Sequence, residues 1–199
     1  VFTFTRGLDT GTTQMTTAEA RTHASDIIQT GAAFERAVQH VIQNGVSEND
    51  VSFENGLVTG YAHAPAVAAG AQIFDATSGG GMTYKGLLPG ETPSTSNIWL
   101  FTGAIVITGQ ESDSRSDLIA SLPVSVEVCR EINKQLDNSI DIDSTVGTIT
   151  GAKFTGTYAD NAAVFMTPGT GLAQGCVMGL ITNGTQSGGY TYFKVLLAR

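Results

Sequence analysis

Between Ala20 and Ile42, apolar residues recur at steps of three and four: Ala20, Ala24, Ile27, Ile28, Gly31, Phe34, Val38, Val41 and Ile42. That spacing puts them on one stripe of a helix of about 27 residues. Arg21, Gln29, Glu35, Arg36 and Gln43 fall away from the stripe. Thr16 stands three residues before Glu19, the spacing at which each side chain satisfies a free amide at a helix start. Asn44-Gly45 supplies the stop, because glycine takes the left-handed cap conformation without steric cost. Within this helix Ile27, Ile28, Phe34, Val38 and Val41 are the expected core and assembly positions.

The pattern is less regular downstream. Residues 47–50 predict one short turn, and 51–72 are irregular and rich in Gly and Ala. Gly79-Gly80-Gly81 reads as a turn, and the prolines, glycines and hydroxyls of 86–96 read as a loop. Ile98–Thr108 is apolar and β-branched, as in a buried strand, and Leu118–Leu122 is a second short strand after an acidic loop at 109–117. Pro123 suits the first turn of a second helix, where its missing amide costs nothing. That helix would carry the stripe Val124, Val128, Cys129, Ile132 and Leu136. Short β segments follow at 147–154, 162–166, 176–182 and 190–198, the last two joined as a hairpin through the turn-rich residues 183–189. This order predicts an α+β fold, a long N-terminal helix packed on an antiparallel sheet, with a second short helix and a C-terminal hairpin. Residues 1–15 read as an extension and 16–199 as a single domain.

Composition narrows the function. Of 199 residues, 41% are apolar and only 14% are charged, against roughly 25% charged in an average soluble domain. A surface so weakly ionised suits secreted β-rich proteins and subunits that pack against copies of themselves. The balance of 10 Lys+Arg against 18 Asp+Glu, with no basic run, excludes nucleic acid and disfavours anionic membrane surfaces. No apolar stretch is long enough to span a bilayer in the chain as given. The start, Val1-Phe2-Thr3-Phe4-Thr5, reads as a cut or processed terminus.

Candidate chemistry is sparse. His23, His40 and His63 form no HExxH, and no G-x-S-x-G elbow occurs. Gly79-Gly80-Gly81 with Lys85 fails the phosphate-loop spacing, because Gly86 follows the lysine. Two acidic runs, Asp137/Asp141/Asp143 and Glu111/Asp113/Asp117, offer the hard oxygen ligands that Ca²⁺ takes, but without EF-hand spacing. Solvated acidic loops are the simpler reading, and no cofactor is expected. Cys129 and Cys176 lack CxxC spacing and a neighbouring His, which speaks against zinc. In an exported chain they pair as a disulfide, and otherwise they are two buried thiols. Asn183-Gly184-Thr185 matches a glycosylation acceptor and marks an exposed turn. Nothing points to an enzyme.

Four segments together resemble bacterial type IV pilin-like (pseudopilin-like) proteins, in particular those of the alphaproteobacterial type. They are Asn44 to Phe53 at the close of the long helix, Ile73-Phe74 followed by Gly79-Gly80-Gly81 and Thr83-Tyr84, Cys129-Arg130-Glu131-Ile132-Asn133, and the ending from Tyr190 to Arg199. The processing site and apolar helix that mark the family are not among these residues. The resemblance implies a non-catalytic filament subunit at the surface or in the periplasm of a Gram-negative bacterium. Its partners would be copies of itself and other pilin-like subunits. Its membrane contact would come only through an upstream apolar segment, which the long helix would continue. Two other readings share the composition. One is an adhesin or carbohydrate-binding module using Tyr61, Tyr84 and Trp99 as stacking platforms, and the other is a phage or virus structural protein.

Overall fold

The computed structural model describes residues 15–84, 98–111, 115–138, 149–150, 152–160, 164–166, 171–179, 181–182 and 189–199. Helix α1 covers Thr17–Gln43. Its capping box is present in both directions: the Glu19 amide donates to Thr16 Oγ1 at 3.2 Å, and the Thr16 amide donates to Glu19 Oε2 at 2.9 Å. Thr16 itself is extended. The helix begins at this capped corner, and the residues before Met15 lie outside the described ones. At the other end Asn44 caps α1, and Gly45 turns the chain away at φ +90°. Ala20, Ala24, Ile27, Gly31, Phe34, Ala37, Val38 and Val41 are buried. Ile28 and Ile42 lie half-buried at the border of the stripe. Glu35 sits at the same border, and its carboxylate meets the buried Lys194 ammonium at 2.8 Å.

Strands β1 (Leu100–Ile107), β2 (Asp117–Val124), β5 (Gln174–Met178) and β7 (Tyr190–Leu197) make an antiparallel sheet in the order β1-β2-β7-β5. A short strand β4 (Val164–Met166) adds in parallel to the outer side of β1. A separate parallel pair joins β3 (Ile149–Thr150) to β6 (Ile181–Thr182). The expected α+β arrangement of α1 on an antiparallel sheet is therefore observed, with three differences.

Pro123 and Val124 belong to β2, and α2 starts later, at Val126–Gln135, capped by Ser125 Oγ accepting from the Val128 amide. The proline is tolerated because β1 pairs with β2 only as far as Ser121, which leaves Pro123 with β7 alone as its partner. The C-terminal hairpin exists as the antiparallel pair β5–β7, but its link makes an excursion: Ile181-Thr182 leaves to pair with β3. The parallel β4 likewise breaks the expected run of antiparallel strands.

Alternation along the strands buries both faces of the sheet. Leu118, Ala120, Leu122, Tyr192 and Leu196 join α1 in the larger core, while Ile119, Phe193, Val195 and Val177 join Ile105 and Ile107 in a second cluster. Gly31 lets α1 come close, since a Cβ there would run into the Tyr192 hydroxyl. The residues from Val46 to Tyr84 carry only two short 3₁₀ turns, at Glu48–Asp50 and Ala69–Ala71, yet they finish the core. Phe53 stacks on Phe101 at 4.1 Å, and Phe34 meets both Phe101 and Trp99 edge-on at 5.0 Å. Offset and edge-to-face pairs of this kind add to the energy of area burial.

Candidate functional site

The aromatic side chains considered for glycan stacking are part of this core. Tyr61, Trp99 and Tyr84 are all buried. The Tyr61 hydroxyl accepts from the Phe101 amide at 3.1 Å and donates to the Trp99 carbonyl at 3.3 Å, so it stands in for a strand neighbour at the head of β1. Burial raises its pKa, and the same cause pushes Tyr84 up to about 12. A binding face built on these rings is overturned by their burial.

The acidic candidates separate. Asp137 is exposed, at φ +53° just after α2, while Asp141 and Asp143 lie outside the described residues. Glu111 is exposed and Asp113 is outside the described residues. Asp117 is no loop ligand: it is buried in β2, where Oδ2 accepts from the Ile107 amide at 2.8 Å and Oδ1 from the Arg199 amide at 3.1 Å. Among the described residues, no three His, Cys, Asp or Glu side chains are grouped to hold a metal ion. Lys85 and Asn183-Gly184-Thr185 also lie outside the described residues. His23 and His40 remain separate on α1. His63 packs against Phe154 at 6.1 Å, and burial lowers its pKa against the opposing pull of Asp50.

The most organised polar cluster is one that pattern reading missed. The Arg199 guanidinium, only 7% exposed, donates to Glu48 Oε1 at 3.0 Å, to Asp160 Oδ1 at 3.2 Å and to the Ser116 carbonyl at 3.4 Å. It also lies over the Tyr158 ring at 3.6 Å. Asp160 Oδ1 accepts the Ser116 amide as well. Two carboxylates and a ring face neutralise one delocalised cation, which ties the turn at 48–50, the start of β2, the segment 152–160 and the chain end together. The available signal is an arginine three residues beyond the buried run from Tyr192 to Leu196, since a cation carried there must find acids.

A second constellation fixes α2. Cys129 and Cys176 are joined in a disulfide with Cα atoms 5.3 Å apart, as expected for an oxidised chain. Arg21 reaches the largely buried Glu131 at 3.4 Å, and Gln135 exchanges hydrogen bonds with Ser25 and the Arg21 carbonyl. An open depression of about 600 Å³ is lined by Glu54, Asn55, Leu57, Gln72, Phe74, Met82 and Tyr84, with Leu57 69% exposed at its rim. Among the described residues its lining carries one carboxylate, Glu54, and the hydroxyls of Thr83 and Tyr84. Finally, the outer face of α1 presents Ala18, Thr22, Asp26, Gln29, Arg36, His40 and Gln43 to solvent, small or polar residues with few charges.

No protein-family profile, curated protein or solved structure matches this chain. The disulfide is consistent with a secreted or periplasmic protein. Among the described residues, no helix is long and apolar enough to cross a membrane.

Proposed function

We propose that this chain is the globular head of a pilin-like structural subunit, exported by a Gram-negative bacterium and built into a filament with copies of itself. The observation that carries this reading is the placement of α1. It is docked along an antiparallel sheet through one face, while its opposite face, from Ala18 to Gln43, stays exposed and carries Asp26 and Arg36 among small and uncharged polar residues. A helix held on its own domain, with charges of both signs on its outer face, is a surface that copies can pack against. The polar side chains best placed for chemistry, those around Arg199 and Glu131, are engaged in holding elements together, in keeping with a non-catalytic role. Membrane contact would come through an upstream segment. A phage or virus structural subunit would share the composition without that segment.

The test is the intact mass and N-terminal residue of the protein isolated from its native source. Roughly 20 apolar residues ahead of Val1, enough to span a bilayer, are expected. A native terminus at Val1 on a protein that stays monomeric would overturn the reading.

A further inference from the structure

Most charged side chains of α1 are committed within the molecule. Glu19 closes the capping box, Arg21 meets Glu131 at 3.4 Å, and Glu35 meets Lys194 at 2.8 Å. The helix's two remaining charges, Asp26 and Arg36, are both exposed on its outer face, and neither has an ion-pair partner among the described residues. Their signs are opposite. Arg36 follows Asp26 by ten residues, which places it about 15 Å along the axis and about 80° around it. That is too far for the two to pair within one copy, where only positions three or four apart meet. Between them the outer face carries Gln29, exposed, and Ala33, half-buried, so no like charge blocks an approaching helix.

We propose that Arg36 of one copy pairs with Asp26 of the next, with neighbouring α1 helices parallel and staggered by about 15 Å. The proposal rests on the filament reading and gives it a register. A second copy is the fitting occupant because each copy carries both halves of the pair, on different sides of one exposed face. Such a contact joins unlike patches, so it leaves an Asp26 free at one end and an Arg36 free at the other, and the row stays open to growth. An exposed ion pair adds little affinity by itself. Its effect is selective: any register that brings like charges together is penalised.

The experiment measures the threshold concentration for assembly of the purified chain at low salt, by pelleting and sedimentation velocity. Wild type is compared with Asp26→Lys, with Arg36→Glu, with an equimolar mixture of these two variants, and with the double exchange Asp26→Lys/Arg36→Glu. Each single reversal sets like charges against each other at every contact and should raise the threshold about tenfold or more. In the mixture, every contact between unlike variants restores an opposite pair, so the threshold should return towards that of wild type. The double exchange should restore it as well. Where a reversal fails to fold, the neutral Asp26→Asn or Arg36→Gln takes its place, and a threshold that it leaves unmoved overturns the contact. Single reversals without effect, or a mixture no better than its parts, overturn the contact while the filament reading stands. A mixture that recovers only dimers overturns the open row in favour of a closed two-fold pair. A wild type that stays monomeric at every concentration overturns both the contact and the filament reading.

Discussion

Helix α1 and the segment from Val46 to Tyr84 supply the same core in opposite ways. In α1 the backbone satisfies itself, and a stripe of period 3.6 delivers Ala20 to Val41 to the sheet. The segment 46–84 has almost no regular structure, yet Val51, Phe53, Tyr61 and Ile73 are as buried as anything in α1. Its backbone groups find other partners. Ser52 pairs with the Ala71–Ile73 stretch through two bonds of 2.9 Å. Asn55 Oδ1 accepts the amides of Leu57 and Val58, and Asp75 Oδ1 accepts those of Thr77 and Ser78. Side-chain acceptors thus replace the missing ladder. The contrast teaches that burial and periodicity are separate properties: a helix can be recognised by its pattern, while a loop can be equally essential without having one.

Five substitutions sharpen the contrast. The largest effect belongs to α1. Phe34→Asp puts an unpaired carboxylate among Phe74, Trp99 and Phe101 and should cost about 5 kcal/mol or more, which abolishes a cooperative melt. Ile28→Asp, at the half-exposed border, should keep one. Next comes Phe53→Ala. If the irregular segment carries core weight equal to the helix, thermal or denaturant unfolding should show a loss of about 3–5 kcal/mol. A loss under about 1 kcal/mol would mean that the segment merely covers the core.

Gly79→Ala follows. A Cβ there has no room against the backbone carbonyls of Gln72 and Ala69, so the turn that closes 46–84 must open. Limited proteolysis should nick this segment first, with α1 amides still protected in hydrogen exchange. The smallest effect is that of His63. Its folded-state pKa is lowered, chiefly by burial, so the native state binds fewer protons than the unfolded chain. Stability is therefore full above the unfolded value of about 6.5 and declines as pH falls through the depressed one. NMR titration should give a midpoint below that of free histidine, and His63→Gln should flatten the decline.

These contrasts also explain what was legible in the sequence. The α1 caps and stripe are local signals, and they were read residue by residue. The apolar run at Ile98–Thr108 gave β1 for the same reason. Pro123 was misplaced because a helix start and the end of a strand that has outrun one neighbour accept proline equally well. The pairings β1–β4 and β3–β6 are parallel and non-local, so no turn sequence announces them. The core role of Phe53 and Tyr61 is hidden by the lack of a period, and the alternative reading of Tyr61, Tyr84 and Trp99 as stacking platforms meets three buried rings. Of the candidate site residues, Cys129 and Cys176 were legible from their isolation, whereas Arg199, Asp160 and Glu48 meet only through the fold.

The central claim is that this head faces outward on a filament of its own kind. It is tested most directly by labelling cells of the native source with an antibody raised against residues 16–199 and imaging them by negative-stain electron microscopy. Label spaced along thin filaments, which shear from the cells together with the protein, is the expected result. Label confined to a soluble periplasmic fraction, with filaments bare, would contradict it.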